Sequence, residues 1–456
     1  LEKKNEPEYI GLSHFLWKGH YAHGHSAISN IKTILPGEIL TYNILEKKIS
    51  KIQTKEKQIL VVNECNEERS ISKLKESLID SLQYRFVSDV PVAFLLSGGV
   101  DSSLLSVLAG KHLNEKFDTF YLGYDDGDDI YRDIAKKVSD SINSSHHSLT
   151  MKTPEISKVA DKMIDIFGEP FSDYSALPSY DIYKYVSNYA KVVIAGDGAD
   201  EIFGGYKDIK TYLLFDQVSK FFPFKKINNI ESIYRISNNS KFGKLMSYLS
   251  SPLLLDTNHF STILFSGGWN MYYRKEYMTE YGWKLTGEAN LEEQEIMLFS
   301  ESGKNTIEKY LNYYLYRLIY DFMVKVDRTS MANSVEVRSP YLDKFMIEEN
   351  NPINITKMSD QFDTKKELKY FLKEEGYSYV TNIKKAGFTP PLRNWMKSET
   401  CVKLLDDIMS DKESIIYYLF KVNKLREMYK NKKLIDRNFF RLWNLIILHN
   451  WFKRNY

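Results

Sequence analysis

The sequence predicts an α/β fold built on a doubly wound, mainly parallel sheet, and three observations carry that expectation. Strand-length apolar runs at 92–96, 119–123, 147–151 and 192–195 alternate with helix-length amphipathic segments. Two of those runs end in glycine-rich turns that also hold aspartates, Ser97-Gly98-Gly99-Val100-Asp101-Ser102 and Gly196-Asp197-Gly198-Ala199-Asp200. In an open parallel sheet ligands sit beyond the carboxyl ends of the strands, where both turns would fall.

In chain order, residues 1–60 read as a small polar unit: a helix around Ile10–Trp17, a glycine- and histidine-bearing loop, then a hairpin. The hairpin sets Ile39–Tyr42 against Ile49–Ile52 after the turn signal Pro36-Gly37. His14, His20, His23 and His25 have no cysteine or acidic cluster beside them and read as solvent-exposed loop residues, not metal ligands. From Ser70 the rhythm is α/β. A helix over Ile71–Val87, apolar at 71, 74, 78, 82 and 86, passes through Pro91 into the first strand. Helices follow at Tyr131–Ile142, Glu155–Phe167 and Ser179–Tyr189, between the later strands. Residues 207–306, rich in Ser, Asn, Phe and Tyr, break the rhythm and read as a mostly helical insertion capping the sheet. A long helix near Asn312–Met331 returns the chain to the core, and further helices finish it. The expected division is a unit of residues 1–60 and a domain of residues 61–456.

Charge and cysteine content exclude several function classes. The 62 basic and 60 acidic residues leave a formal charge of +2, which argues against a dedicated nucleic-acid or membrane-surface binder. Lysine-rich stretches such as Lys421–Lys433 read as solvated helix faces. No apolar run reaches the length of a membrane span and no signal peptide opens the chain, so the expected compartment is cytoplasmic. Cys65 and Cys401 are too few for a disulfide framework or a cysteine-based zinc site. The chain begins at Leu1 and reads as a fragment or a processed chain.

The chemistry is concentrated in three motif groups. In the first, two glycines let the backbone approach a ligand closely, and amide donors at a helix N-terminus favour an anion. Ser97, Ser102 and Ser103 add hydroxyls, and Asp101 supplies an oxygen suited to Mg²⁺. No lysine follows the glycines, so this is not the kinase-type phosphate loop. The second group places three acids, Asp197, Asp200 and Glu201, at another strand end. Asp200 could share Mg²⁺ with Asp101, and Asp197 is placed to be a general base. The third comprises Lys325-Val326-Asp327-Arg328, Val335-Glu336-Val337-Arg338 and Lys384-Lys385-Ala386-Gly387. A fixed lysine suits developing phosphate charge, whereas Arg328 and Arg338 read as structural.

The first turn resembles the pyrophosphate loop of N-type ATP pyrophosphatases, which split ATP between the α and β phosphates and hand AMP to an acceptor. The ordered set from Ser70 to Trp395 resembles the synthetase domain of the glutamine-hydrolysing asparagine synthetase family. Residues 1–60 look like the tail of that family's N-terminal α+β glutaminase domain, notably at Ile34-Leu35-Pro36-Gly37 before the hairpin. The resemblance implies an adenine nucleotide α-hydrolase-like fold that uses ATP and Mg²⁺. On it, Asp101 and Asp200 would hold Mg²⁺, and Ser97, Gly98, Gly99, Val100, Asp101 and Ser102 would wrap the phosphates. Leu95, Leu122 and Gly196 would hold the adenosine, and Lys385 would stabilise the departing pyrophosphate. Asp197 takes the place of the family's catalytic glutamate, and Glu336 matches an acid that supports the base.

Two departures shape the functional expectation. Neither cysteine lies near the start, so the residues in hand are not expected to hydrolyse glutamine: either the glutaminase domain was lost or is not included in them, or ammonia or a substrate amine is used directly. The family's aspartate-binding loop carries Thr and Arg before a proline, but here Glu169–Pro178 has no arginine. Ser172 and Asp173 are the acceptor-facing candidates in that loop. The expected activity is an ATP-dependent, amide-forming ligase acting through an acyl-adenylate, with asparagine formation first. Amidation or cyclisation of a sugar acid, a peptide or a β-lactam-type substrate is the alternative. The expected partners are a small-molecule or peptide carboxylate and an amine donor, with room for a homodimer or a separate glutaminase subunit. A tRNA-thiolating pyrophosphatase would want a reactive cysteine and a basic face, and a degenerate regulator would not keep Asp101, Asp197, Asp200 and Lys385.

Overall fold

The computed structural model describes residues 6–53, 71–113, 115–125, 129–206, 209, 268–287, 295, 306–344, 346, 363–383 and 389–456. Ahead of the main sheet come helix α1 (Tyr9–Lys18) and an antiparallel hairpin, β1 (Glu38–Asn43) with β2 (Lys48–Gln53). The hairpin pairs Ile39 with Ile52 and Tyr42 with Ile49, as the alternation predicts. α1 is far from polar surface: Gly11 through Trp17 are all buried. The carbonyl of Leu16 accepts from Trp269 N (2.7 Å) and Asn444 Nδ2 (3.2 Å), so the N-terminal helix is built into the core.

The α/β part runs α2 (Ile71–Phe86), β3 (Val92–Leu95), α3 (Val100–His112), β4 (Asp118–Tyr124), α4 (Ile130–Ser141), β5 (Ser145–Met151), α5 (Ile156–Phe167), α6 (Ala176–Val186), β6 (Val192–Ile194) and α7 (Ala199–Phe203). β7 (Glu336–Arg338) closes the sheet, whose order is β5-β4-β3-β6-β7 with every pairing parallel. Strand order therefore reverses between β3 and β6, and the crevice outside their carboxyl ends is the ligand position of a doubly wound sheet.

Alternate residues of the strands feed two cores, as a sheet covered on both faces requires. Ala93, Phe120, Leu122 and Val193 pack with α1, α5, α6 and the C-terminal helix Lys432–Asn455. Val92, Phe94, Tyr121, Val192 and Ile194 pack with α2, α3 and α4. α5 shows how the sequence dictates this. Ile156, Val159, Ala160, Met163, Ile164 and Phe167 fall at helical spacing and are all buried. Each large apolar side chain there contributes about 1.5–3 kcal/mol. The helix stops at Gly168, in the left-handed region at φ +73°, whose carbonyl accepts from Trp451 Nε1 at 3.2 Å.

β7 is not among the expected strands, and two helices also differ from expectation. α6 starts at Ala176, three residues early, because Pro178 lies in its first turn, where a missing amide costs no hydrogen bond. The long helix near Asn312–Met331 is helix Thr306–Arg317, a π-helical turn at Leu318–Phe322, and helix Met323–Met331. Of the expected insertion, two described helices, Met271–Tyr277 and Glu280–Thr286, pack against α1 and the C-terminal helices. Of 207–306, only Ile209, residues 268–287, Glu295 and Thr306 are described, and the 54–70 boundary region lies wholly outside the described residues. Among the described residues no helix is long and apolar enough to cross a membrane.

Candidate active site

The two glycine turns meet at the reversal point and form one end of a cavity of about 680 Å³. The first turn is fixed by its own sequence. Gly98 sits at φ +72°, and a Cβ there would collide with the backbone carbonyl of Tyr131, so glycine is required twice over. Gly99 then caps α3 with extended backbone and no side-chain cap, leaving the helix's first amides directed at the cavity mouth. Ser102 Oγ accepts from Ser97 N at 3.0 Å and lies 2.9 Å from Ser97 Oγ, which holds the turn closed. Gly196 lets the second turn approach α3: a Cβ would lie 3.2 Å from Asp101 Cβ and 3.3 Å from Ser102 N.

Asp101 and Asp200 converge from the two turns. Both carboxylate oxygens of Asp101 accept from Lys365 Nζ at 2.6 Å, and Asp200 Oδ1 lies 2.5 Å from the same nitrogen. Burial disfavours the Lys365 ammonium, but the two carboxylates overcome it and raise its pKa. Their oxygens thus bracket one cation-sized point, which tests the fit of Mg²⁺ there: hard carboxylate donors, two from different elements, facing the phosphate turn. The residues fit, provided that Lys365 withdraws. Glu201 behind them is pushed up to about 7 by burial and then by Asp200, with Tyr206 Oη donating to it.

Asp197 lies half-buried between this end and the other. Burial raises its carboxyl above the ordinary aspartate range, against the pull of Lys325. The far end is lined by paired charges. Lys325 Nζ lies 3.2 Å from Asp173 Oδ2 and donates to Ser175 Oγ at 3.0 Å; Arg317 Nη2 donates to Asp321 Oδ2 at 2.7 Å. The π-helical turn brings Leu318, Asp321 and Phe322 onto the same wall as Arg317 and Lys325, a use to which such turns are commonly put. Lys18 reaches this wall from α1, with Nζ 3.0 Å from Tyr313 Oη.

Residues 73–453 match the family model described as asparagine synthase. The chain belongs to the asparagine synthase family. Its relatives include asparagine synthetase (glutamine-hydrolyzing) 1 of Bacillus subtilis strain 168, 25% identical over 403 residues, or 86% of this chain and 60% of that protein. A putative asparagine synthetase (glutamine-hydrolyzing) of Mycobacterium bovis is 25% identical over 340 residues, 73% of this chain and 50% of that protein. A putative asparagine synthetase (glutamine-hydrolyzing) 2 of Methanocaldococcus jannaschii is 33% identical over 163 residues, 36% of this chain and 32% of that protein. The chain thus spans 60% or less of the length of these relatives.

Within this asparagine synthase domain, Leu95, Ser97, Asp101, Ser102, Leu122, Asp173, Gly196, Asp197 and Asp200 all line the one cavity, and Gly98, Gly99 and Val100 build its turn. Two expected residues are not there. Ser172 is fully buried away from the cavity, its amide on Gly19 O (2.8 Å) and its carbonyl on Trp443 Nε1 (3.1 Å), so it ties α1 to the C-terminal helix. Glu336 starts the three-residue β7, at its amino end and away from the sheet edge that holds the cavity, and its exposed carboxylate accepts from Arg338 Nε at 2.7 Å. It does not line the cavity. Arg338 also donates to Arg85 O and Val87 O at 2.8 Å each, the structural role expected of it. Lys385 lies outside the described residues, although Thr389 just beyond it lines the cavity.

Sequence reasoning missed Lys365, Arg317 and Lys18. Lys365 precedes helix Lys366–Glu374 in the left-handed region at φ +54°, and nothing in its neighbours Thr364 and Lys366 signals that the chain returns it to the first turn. Lys325 stood in a quoted motif without an assigned task. The histidine reading is also corrected: His14 and His20 are 1% and 2% exposed, because α1 carries His14 into the core and the turn that follows the helix buries His20 beside it.

Proposed function

We propose that this chain is an ATP-dependent amide-forming ligase that activates a carboxylate as its acyl-adenylate. The observation that carries the reading is the convergence of Asp101, Asp200 and the Ser97–Ser102 turn on one end of a cavity whose middle holds Asp197. The turn's amides and hydroxyls would bind the β and γ phosphates, with the adenosine against Leu95, Leu122 and Gly196. Asp101 and Asp200 would hold Mg²⁺, which neutralises phosphate charge when bound. A substrate carboxylate oxygen attacks the α-phosphorus as the bond to the leaving pyrophosphate breaks. The nitrogen of ammonia or an amine then attacks the acyl carbon, its proton passes to Asp197, and AMP departs. The raised carboxyl of Asp197 suits it to take a proton from an amine near neutral pH.

Asparagine formation from aspartate is the first reaction to test. The alternating Lys325–Asp173 and Arg317–Asp321 pairs support it, since they offer both signs of charge to a zwitterion. The arginine-free Glu169–Pro178 loop favours the second reading, amidation of another carboxylate such as a sugar acid or a peptide. The experiment is pyrophosphate and AMP release from Mg-ATP with aspartate and ammonium, with asparagine measured in the same samples. Coupled AMP and asparagine supports the first reading. ATP binding without aspartate-dependent turnover moves the acceptor to the second, and no ATP binding refutes both.

A further inference from the structure

Behind the wall that Lys18 contributes lies a second polar cluster that the proposed reaction does not use. His14, in the middle of α1, has Nδ1 2.8 Å from the carbonyl oxygen of His20. A carbonyl only accepts, so Nδ1 carries a proton, which leaves Nε2 as the nitrogen that can either bear a second proton or offer a lone pair to a cation. That nitrogen lies 3.2 Å from Glu295 Oε1, and His23 Nε2 lies 3.7 Å from the same oxygen. The three atoms lie within 4.8 Å of one another. A bare ring nitrogen would repel a carboxylate oxygen at these distances, so a proton or a metal ion has to lie among the three.

We propose that His14, His23 and Glu295 form a binding site for a divalent transition-metal ion of the zinc class. Two imidazoles and a carboxylate are a donor set for such ions, not for Mg²⁺. Bonds of 2.0–2.2 Å in a tetrahedron set donors about 3.3 Å apart, near the 3.2 Å and 3.7 Å separations from Glu295 Oε1. The outer contacts also fit. The His20 carbonyl fixes the tautomer of His14, and Lys18 Nζ, 3.4 Å from Glu295 Oε2, holds the oxygen that faces away. An independent observation comes from His20. Its ring is buried, centred 5.2 Å from that of His14, and neither ring nitrogen has a hydrogen-bond partner among the described residues. A buried imidazole in that condition is short of a partner, and an ion bound beside His14 would supply one. Tyr316 Oη, 2.8 Å from His23 Nε2, competes for that nitrogen and has to swing aside when an ion binds. The ion would clamp α1 to Glu295 and fix the helix end from which Lys18 reaches the cavity.

The test uses the purified chain. Bound metal is measured by elemental analysis after growth with zinc; the protein is then stripped with chelator and titrated with Co²⁺, whose tetrahedral complexes absorb in the visible. The expected results are close to one zinc per chain and a Co²⁺ absorption that zinc abolishes and excess Mg²⁺ does not. His23→Ala, at a side chain 32% exposed, and Glu295→Gln should each weaken Co²⁺ binding by more than about 100-fold, beyond the loss typical of an outer contact. Zinc should also raise the melting temperature of the stripped wild-type chain, a readout that needs no variant to fold. A stripped protein with no visible Co²⁺ absorption and no zinc-dependent melting shift would overturn the proposal and leave a proton-sharing histidine–glutamate cluster. Undiminished binding in both variants would overturn it too, by placing the ion elsewhere.

Discussion

Replacing Lys365 by methionine removes the cation that Asp101 and Asp200 share. The ammonium is 2.6 Å from one carboxylate and 2.5 Å from the other, with the lysine side chain 5% exposed and the acids 22% and 21%. The facing oxygens therefore stand about 5 Å apart at most, where two unit charges at an effective dielectric constant of about 20 repel by about 3 kcal/mol. Loss of one partner from a buried pair costs a similar 3–5 kcal/mol, so Lys365→Met should lose about 3 kcal/mol or more of stability in chelator. Mg²⁺ should return part of it, about 1.4 kcal/mol at ten times its dissociation constant. In the wild type the ammonium holds the same carboxylates, so Mg²⁺ without nucleotide should stabilise it much less. Adding Asp200→Asn to the variant removes the repulsion and should recover most of the loss. The assay is urea unfolding followed by circular dichroism, with chelator or Mg²⁺. A variant as stable as wild type in chelator, or equal Mg²⁺ stabilisation of both, would refute the shared-cation argument.

Asp197→Ala should leave carboxylate-dependent ATP–pyrophosphate exchange within a few-fold of wild type while amide formation falls by roughly 10²–10⁴; equal loss of both would remove Asp197 from the base role. Gly98→Ala forces a side chain into the left-handed region and onto Tyr131 O, costing at least about 1–2 kcal/mol, and should weaken ATP binding in a calorimetric titration. Glu169 is pushed by burial from the ordinary 4.5 up to about 7, with Ala27 N donating to it at 3.1 Å. The native state then holds more protons between those pH values, so this contribution is full below about 4.5 and is lost as pH rises towards 7, about 3 kcal/mol in all. Glu169→Gln keeps the acceptor without the charge and should flatten that slope, raising stability at pH 8; an unchanged slope in unfolding measured across the range would count against it.

The sheet was legible because its signals are local. β3, β4 and β6 are apolar runs closed by turns, and Ser97-Gly98-Gly99 announces a strand-to-helix turn by composition alone. Eight of the nine expected residues that line the cavity followed, since each lies in or beyond a strand end; the ninth, Asp173, comes from the loop between α5 and α6. What failed was long-range. Glu336 is separated from the cavity by strand direction: its neighbour in the register is Val192, at the start of β6, not at its end. Ser172 sits one residue before Asp173 and is turned inward by contacts with Gly19 and Trp443, both far off in sequence. The histidines were misread because α1 alone gives no hint that Trp269 and Asn444 will cover it.

The pairing of charges at the far end of the cavity bears on what an acceptor must bring. Asp173 is held below the ordinary carboxylate range, because Lys325 and Ser175 outweigh its burial. Lys325 and Arg317 are raised although burial works against each, by Asp173 and Asp321 respectively. Neither cation is thus a bare anchor for a carboxylate. An incoming anion would join an existing ion pair and compete with an acid already seated, which a singly charged substrate does at a cost in desolvation. A substrate carrying both an ammonium and a carboxylate can lie across the pairs and complete both. On the proposed reading, the charges that make an isolated carboxylate a poor guest would act as a filter, and the guanidinium missing from the Glu169–Pro178 loop would be supplied by Arg317, which ends the helix just before the π-helical turn and carries its own counter-ion, Asp321.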